Sequence, residues 1–503
     1  MIPFLSWFRK PKAVPESRFD LVEQRNVPQS MELRRWEAAT VTDQNALQWI
    51  NATGRTLNED LVNNLGVLIT RCTHELTVNP TIQGAADTHS ADIVSPGGPS
   101  WQVVPKSANV PESEAKALEA YIGQAEELIR EWFDHCDYNS ELSGAEILQI
   151  SILQQWTCGN AFQEILEGGS SGLTPISLRL LPIHAERVLR CVSGGSVRLG
   201  IERDKSGKRL RYHVATPESF GTYSTSKAEP VEARQMIHHM RTIEPGQIAG
   251  VPWLASGLGT LGDLRQLDEQ VMKAAQLAAS LAIIFQDKHE NAPVVAGAQA
   301  VKLGLTNFFH APKGKEVKTL DPKQPQQNYV AFRDERWRDV ARSLSMPLLI
   351  FRQNSAEHTY SGARMDRLLY ARSIEKEQWL IDRRMSPVFD QVLREAMLRK
   401  LLPKAPVPVR VIGVYAPIPC VDPVKEAVAN QTQLQTLTKS LIDVWHENGI
   451  TAPEAVSKLR RSIEVLDQIR PGLGEKFVGS LLGDAGLLKS DASADGLISA
   501  LAG

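Results

Sequence analysis

Long apolar runs are missing from this sequence. The most apolar stretch, Ala274 to Phe285, is interrupted by Gln276 and falls well short of the ~20 residues that a membrane-spanning helix needs, so no span is expected. Cysteine is scarce: Cys72, Cys136, Cys158, Cys191 and Cys420 are odd in number, dispersed and without a CxxC pair. That pattern excludes a disulfide scaffold and a cysteine zinc site and fits a reducing compartment. Charge of one sign is not in excess either. With 56 Lys and Arg against 58 Asp and Glu the formal charge is -2, so the footprint of a protein that clamps nucleic-acid phosphates is absent. There is no GxxxxGK[ST] phosphate loop and no HExxH zinc helix. The N-terminal MIPFLSWFRKPK places aromatics ahead of positive charges, the reverse of a secretory signal, and reads either as a docking arm or as a frayed terminus.

What is present is an ordinary globular composition. Hydrophobic residues make up 42% and charged residues 23% of 503 positions, so a sizeable core is available and disorder is excluded as the general state. Length alone allows about three domains.

Helical spacing dominates the first third, in Leu61, Leu65, Leu68 and Cys72 and again in Leu118, Ile122, Ala125, Ile129 and Trp132. Ser143 with Glu146 predicts a capping box opening a helix through Trp156. A polar connection around Ser95 to Pro105 is read between the first two helices. Period two then takes over. Phe162 to Leu166 and Ile176 to Leu180 flank GGSSG, and Val197 to Ile201 and Leu210 to Val214 flank Asp204 to Gly207, which predicts two hairpins.

From Trp253 the helical period returns as far as about Leu402, with two interruptions. The first, Gln286 to Pro325, is rich in Gly and Pro and reads as a loop-and-strand excursion; the second, Met346 to Gly362, contains RQNSAEHTYSG and reads as a polar loop. The helix that follows has Tyr370, Ile374, Ile381, Met385, Val388, Phe389 and Val392 on one side and a kink expected at Ser386-Pro387. At ~40 residues it would reach ~60 Å, which implies an elongated subunit. A strand, VPVRVIGVYAP, precedes a helix capped by Asp422 and Pro423 that is expected to stop at Gly449, and Thr451 opens another. The end, SDASADGLISALAG, reads as a mobile tail.

Few constellations carry chemistry. Gly168-Gly169-Ser170-Ser171-Gly172 matches GxSxG, but a nucleophile elbow needs a strand before it and a helix after it, and both flanks here read as strands. A hairpin turn is the better reading and a serine hydrolase acting through Ser170, or an unrecognised nuclease, the enzymatic alternative. His238 and His239 are adjacent on a strand and point to opposite faces, which suits structural roles better than one shared metal. Glu357 and His358 form either an acid/base pair or a solvated loop pair. Lys313, Lys315, Lys318 and Lys323 read as a protein-docking tip rather than a nucleic-acid patch, since Glu316 and Asp321 are interspersed. On the residues alone the chain is an elongated, non-enzymatic intracellular assembly protein.

RTIEPGQIAGVPWLASGL, residues 241 to 258, resembles the lambda-type family of phage portal proteins, which carry an RPGQxRGVPWLAP-like string. GIERDKSGKRLRYHV and MIHHM precede it in the family's order, TYSGARMDRLLYARSIE (359 to 375) resembles the family's NYSSARxxLLExxR segment, and VDPVKEA (421 to 427) its C-terminal helices. The string departs from the family's at Glu244, at Ala249 and at Ser256-Gly257. The likeness runs over roughly residues 45 to 470.

The resemblance implies an α+β subunit with long stem and wing helices, small antiparallel sheets in wing and clip, and a helical crown. It implies an arm (1–45), a wing (46–252, with the long helix and strand of 363–420), stem helices (253–285 and 323–345), a clip (286–322), a tunnel loop (346–362), a crown (421–490) and a tail (491–503). The expected assembly is a dodecameric ring at one capsid vertex of the virion, built in the host cytoplasm. Double-stranded DNA would pass through it non-specifically in packaging and ejection. Its expected partners are the terminase large subunit, a head-tail adaptor and the major capsid or scaffold protein, with no membrane, cofactor or catalysis. Gln353, Asn354, Ser355, Glu357 and His358 would face DNA in the tunnel loop, and Lys313, Lys315 and Lys318 would face the motor or adaptor. Gly246, Gly250 and Pro252 would shape the wing-to-stem turn. Another virion ring or adaptor protein is the non-enzymatic alternative.

Overall fold

The computed structural model describes residues 55–107, 111–168, 174–191, 194–219, 222–279, 283–287, 315–319, 329–355, 359–418 and 423–469. The expected arm and tail, Ser170, Lys313, Glu357, His358 and Asp422 lie outside the described residues.

Four helices open the described chain: α1 (Leu57–Val78), α2 (Pro80–Val94), α3 (Glu112–Asp134) and α4 (Gly144–Cys158). Their starts follow local chemistry. Asn79 accepts from the Thr81 amide at the head of α2, with Pro80 at the first helical position. At α4 the expected capping box is present: Ser143 Oγ accepts from Glu146 N at 3.3 Å, and Glu146 Oε2 accepts from Ser143 N at 2.7 Å. Gly159, at φ 71°, ends α4.

Between α2 and α3 runs β1 (Ser100–Pro105), where a polar connection was expected. It buries Trp101 and Val103 and pairs antiparallel with β11 (Val409–Val414), Ser100 opposite Val414. β2 (Asn160–Glu167) is central in a three-stranded antiparallel sheet with β3 (Leu178–Ile183) and β8 (Met236–Met240) on its two sides.

A four-stranded sheet follows in the order β4 (Val197–Arg198), β5 (Ile201–Arg203), β6 (Arg209–Ser219) and β7 (Thr222–Glu232), with the short α5 (Glu186–Leu189) packed on β6. The run Val197 to Ile201, expected as one strand, is broken by a turn in which Leu199 and Gly200 both have positive φ, 51° and 69°. At the expected Asp204 to Gly207 turn, Asp204 Oδ1 accepts from Ser206 N at 2.9 Å and Lys208 N at 2.8 Å.

After a 3₁₀ turn at Ala255–Gly257 come α6 (Leu258–Ala279), β9 (Ile283–Asp287), β10 (Lys315–Thr319), α7 (Tyr329–Ser343), α8 (Leu348–Arg352) and α9 (Tyr360–Leu398). The helix expected over 253–285 is therefore shorter at both ends. Ile283, Ile284 and Phe285 are in a strand paired with β10, as β-branched and aromatic residues favour. The polar loop expected over 346–362 is also shorter. Pro347 starts α8, and Thr359 Oγ1 accepts from Gly362 N at 3.3 Å as the N-cap of α9, so Ser361 and Gly362 are helical. α9 runs for 39 residues through Pro387, which lacks the amide that would bond the Arg383 carbonyl.

The C-terminal helix expected to continue to Gly449 is two helices, α10 (Pro423–Gln435) and α11 (Leu441–Glu447), because Ser440 and Asp443 form a second capping box. α12 (Ala452–Ile469) follows.

The core has two parts. One gathers α2, α3, α4, α7, β1 and α9 around Ile82, Trp101, Trp132, Trp156, Val340 and Phe389. The other joins α1 to the sheets through Leu65, Ile69, Phe162, Ile183, Ile201 and Tyr212. Mixed helices and small antiparallel sheets make this an α+β fold, as expected.

Candidate functional site

The segment 241–254 has no regular secondary structure, and side chains from distant elements hold it. Gln247, buried, stitches the loop to itself. Its Oε1 accepts from Ile243 N at 2.7 Å, and its Nε2 donates to Ala249 O at 2.7 Å and Arg241 O at 3.4 Å. Asn160, at the start of β2, holds the next turn: Oδ1 accepts from Gly250 N at 2.6 Å and Nδ2 donates to Gly250 O at 3.1 Å. The two backbones approach so closely that a Cβ on Gly250 would lie 1.9 Å from Gly159 O, and a Cβ on Gly159 2.4 Å from the Val251 carbonyl carbon. Only glycine fits at either position. Trp253 N then donates to Gln155 O at 3.2 Å, so the entry to α6 is bolted to the end of α4.

Behind this turn lies a buried aromatic cage. His89 has its ring 5.6 Å from Trp156 and from Trp253, and 6.0 Å from Tyr370. Its Nδ1 accepts from Trp156 Nε1 at 3.2 Å. Burial, and secondarily the Arg241 charge, push His89 down to about 3, so it is neutral at pH 7. Arg241 lies 3.5 Å above the Trp253 ring, a cation–π contact, and its Nε donates to buried Glu377 of α9 at 2.9 Å. Tyr370 donates to Asp92 at 2.9 Å. The turn, α2, α4 and α9 are thereby cross-linked by polar contacts, although the buried Trp253 Nε1 has no hydrogen-bond partner.

The two strand histidines take different surroundings. His238 Nε2 lies 2.9 Å from Asn160 Oδ1, and its ring stacks on Phe162 at 4.4 Å. His239, buried in the same strand, leaves Nε2 without a hydrogen-bond partner. Burial lowers both, His239 to about 3, so both are neutral in the core. Among the described residues no group of three or more His, Cys, Asp or Glu could hold a metal ion, and no described helix is long and apolar enough to cross a membrane.

Of the expected DNA-facing residues, Gln353, Asn354 and Ser355 are described. Gln353 ends α8 with φ 49° and donates from Nε2 to Thr88 Oγ1 of α2 at 3.0 Å. Asn354 N donates to Leu349 O at 3.2 Å, and Ser355 is exposed. Arg352, just before them, pairs with Asp334 of α7. Lys315 and Lys318 lie on β10 opposite Asp287 and Ile284. The strands β2 and β3 flank the residues around Ser170 as an antiparallel pair, so the helix that a nucleophile elbow requires after its serine is replaced by a strand.

One surface was not visible in the sequence. The first half of α9 is apolar on two opposite faces. Tyr370, Ile374, Ile381 and Met385 are buried, whereas Met365, Leu368, Leu369 and Trp379 are exposed, three of them at 57% and Met365 at 58%. These four recur at helical spacing together with exposed Arg372, Lys376 and Arg383, and Arg383 stands 5.5 Å over the Trp379 ring.

Residues 43–378 match the family model described as phage portal protein, lambda family. The chain therefore belongs to the lambda family of phage portal proteins. No curated protein matches it. Among solved structures it is similar to the neck of an empty GTA particle, at 12% identity and a TM-score of 0.45, over 77% of this chain and 94% of that one. It is also similar to a chain of the native gene transfer agent virion, at 11% identity and a TM-score of 0.43, over 81% and 99%. A third is an HK97 family portal protein from Corynebacterium diphtheriae, at 13% identity and a TM-score of 0.36, over 71% and 96%.

Proposed function

We propose that this portal protein assembles as a closed ring, a dodecamer, at one capsid vertex, and that double-stranded DNA passes through its channel during packaging and ejection. The observation that carries the ring is the second apolar face of α9. A stripe of Met365, Leu368, Leu369 and Trp379 lies opposite the helix's own core face, and exposed large apolar surface of this kind marks a protein contact. A neighbouring copy placed head to tail would cover it, and such contacts close into a cyclic oligomer.

In this reading α6 and α7 are the stem, β9 and β10 the base of the clip, residues 346–359 the tunnel segment, and α10 to α12 the crown. The remainder from α1 to β8, with α9 and β11, is the wing. Gln353, Asn354, Ser355, Glu357 and His358 face the DNA; Lys313, Lys315 and Lys318 face the terminase large subunit or the head-tail adaptor. The capsid or scaffold protein contacts the wing. The balanced charge, 56 basic against 58 acidic side chains, suits a channel through which DNA slides, because phosphate neutralisation with counterion release would hold it. The protein performs no chemistry itself. Electron-microscope end views of the purified full chain test this: a closed ring with a hole wide enough for duplex DNA supports it, and an open filament or a compact monomer that hydrolyses esters or peptides contradicts it.

A further inference from the structure

The exposed stripe of α9 carries charge of one sign. Arg364, Arg372, Lys376 and Arg383 are exposed along it, and Glu375 is the one exposed acid between Tyr360 and Arg383. Other acids of that stretch turn inward, Glu377 to Arg241 and Asp382 to Tyr415. None of the four exposed cations forms an ion pair among the described residues. With Met365, Leu368, Leu369 and Trp379 among them, the surface is apolar and cationic at once. A partner that covers it must bring acids, or the buried cations would be stranded.

α3 has the complementary character. Lys116 and Arg130 are the only bases in ESEAKALEAYIGQAEELIREWFD. Its outer face presents Ala117, Ala120, Gln124, Glu127 and Glu131, all exposed and three or four positions apart. The alanines leave the backbone open to the close approach that the large side chains of Leu368 and Leu369 require of a partner helix. In each helix the uncharged positions come first and the charges follow, Glu127 and Glu131 in α3, Arg372 and Lys376 in α9.

The two faces point away from one another. Tyr121, Ile129 and Trp132 of α3 line the same core as Ile374, Ile381 and Phe389 of α9, and the Trp132 and Phe389 rings lie 5.9 Å apart. Each exposed stripe is on the far side of its helix from that core, so neither covers the other within one subunit. Two copies placed head to tail bring them together.

We infer that the α9 stripe of one copy packs on the α3 face of the next, Leu368 and Leu369 on Ala117 and Ala120, and Arg372 and Lys376 beside Glu127 and Glu131. The pairing rests on the ring proposed above and names the surface that closes it.

Charge reversal on either side is the test, because all four charged positions are exposed and circular dichroism checks that the fold is kept. Native mass spectrometry reads the fraction of full-length chain in closed rings for Arg372→Glu with Lys376→Glu, for Glu127→Lys with Glu131→Lys, and for an equal mixture of the two double variants. Each double variant alone is expected to lose rings by about tenfold or more, since like charges would meet in every contact. The mixture is expected to recover them, with the two variants alternating around the ring in equal numbers. If the parent forms rings and either double variant does so equally well, or the mixture fails to recover them, the pairing is overturned and the ring stands. A parent that stays monomeric overturns both.

Discussion

Asn160 holds both polar atoms of Gly250, accepting from its amide at 2.6 Å and donating to its carbonyl at 3.1 Å. One side chain at the start of β2 therefore fixes the turn that leads into α6, ninety positions further along. Asn160→Ala leaves a buried donor and a buried acceptor unpaired, at about 1–3 kcal/mol each. The variant is expected to lose roughly 2–6 kcal/mol of stability, read as a lower denaturation midpoint at unchanged slope. Gly250→Ala is expected to be at least as damaging, since the added methyl would collide with Gly159 O.

The ion pair of Arg241 and Glu377 links the same turn to α9. Glu377 is only 4% exposed, so Glu377→Ala leaves the half-buried Arg241 cation without its partner. A loss of about 3–5 kcal/mol is expected. A double-mutant cycle with Arg241→Met separates the pair's own energy from the cost of the orphaned charge.

Acid sensitivity follows from the buried histidines. His89 and His239 titrate at about 3 in the folded chain and at about 6.5 when unfolded. Between those values the unfolded state binds more protons, so stability falls as pH falls from about 6.5 towards 3. At pH 5 each histidine removes about 2 kcal/mol. The melting temperature is expected to drop between pH 7 and pH 5, and His89→Gln to make that drop smaller.

Asp382 acts in the opposite sense. Burial raises its carboxyl to about 6, against the lowering effects of Tyr415 and Gly413, which donate to it. The folded state keeps a proton that the unfolded state has released, so this group's contribution is full below about 3.8 and is lost as pH rises through 6. Asp382→Asn cannot ionise. Its stability relative to the parent is expected to be more favourable at pH 7 than at pH 4; the same difference at both values would refute the assignment.

Local chemistry was legible in the sequence, and distant pairing was not. The capping box at Ser143 and the turn at Asp204 depend on residues within four positions and appear as read. β1 was missed because its partner β11 lies beyond Arg399, and neither strand shows in isolation that Ser100 meets Val414. The start of α9 was placed late because RQNSAEHTYSG is polar, yet Thr359 caps the helix and its first turn lies exposed, where polarity costs nothing. The string at 241–258 pointed to the family, but its physical cause needed Asn160, Gln155 and Glu377 from other elements.

Native mass spectrometry of the full chain beside a Leu368→Glu, Leu369→Glu variant reads the ring and its α9 contact together. A closed ring of about a dozen copies is expected for the parent. The variant is expected to give subunits that keep the parent's circular dichroism and fail to close, because two charges would be buried in each contact. A variant that still forms the parent's ring would contradict the assignment of this α9 face to the subunit contact, and a parent that assembles only into open chains would contradict the ring itself.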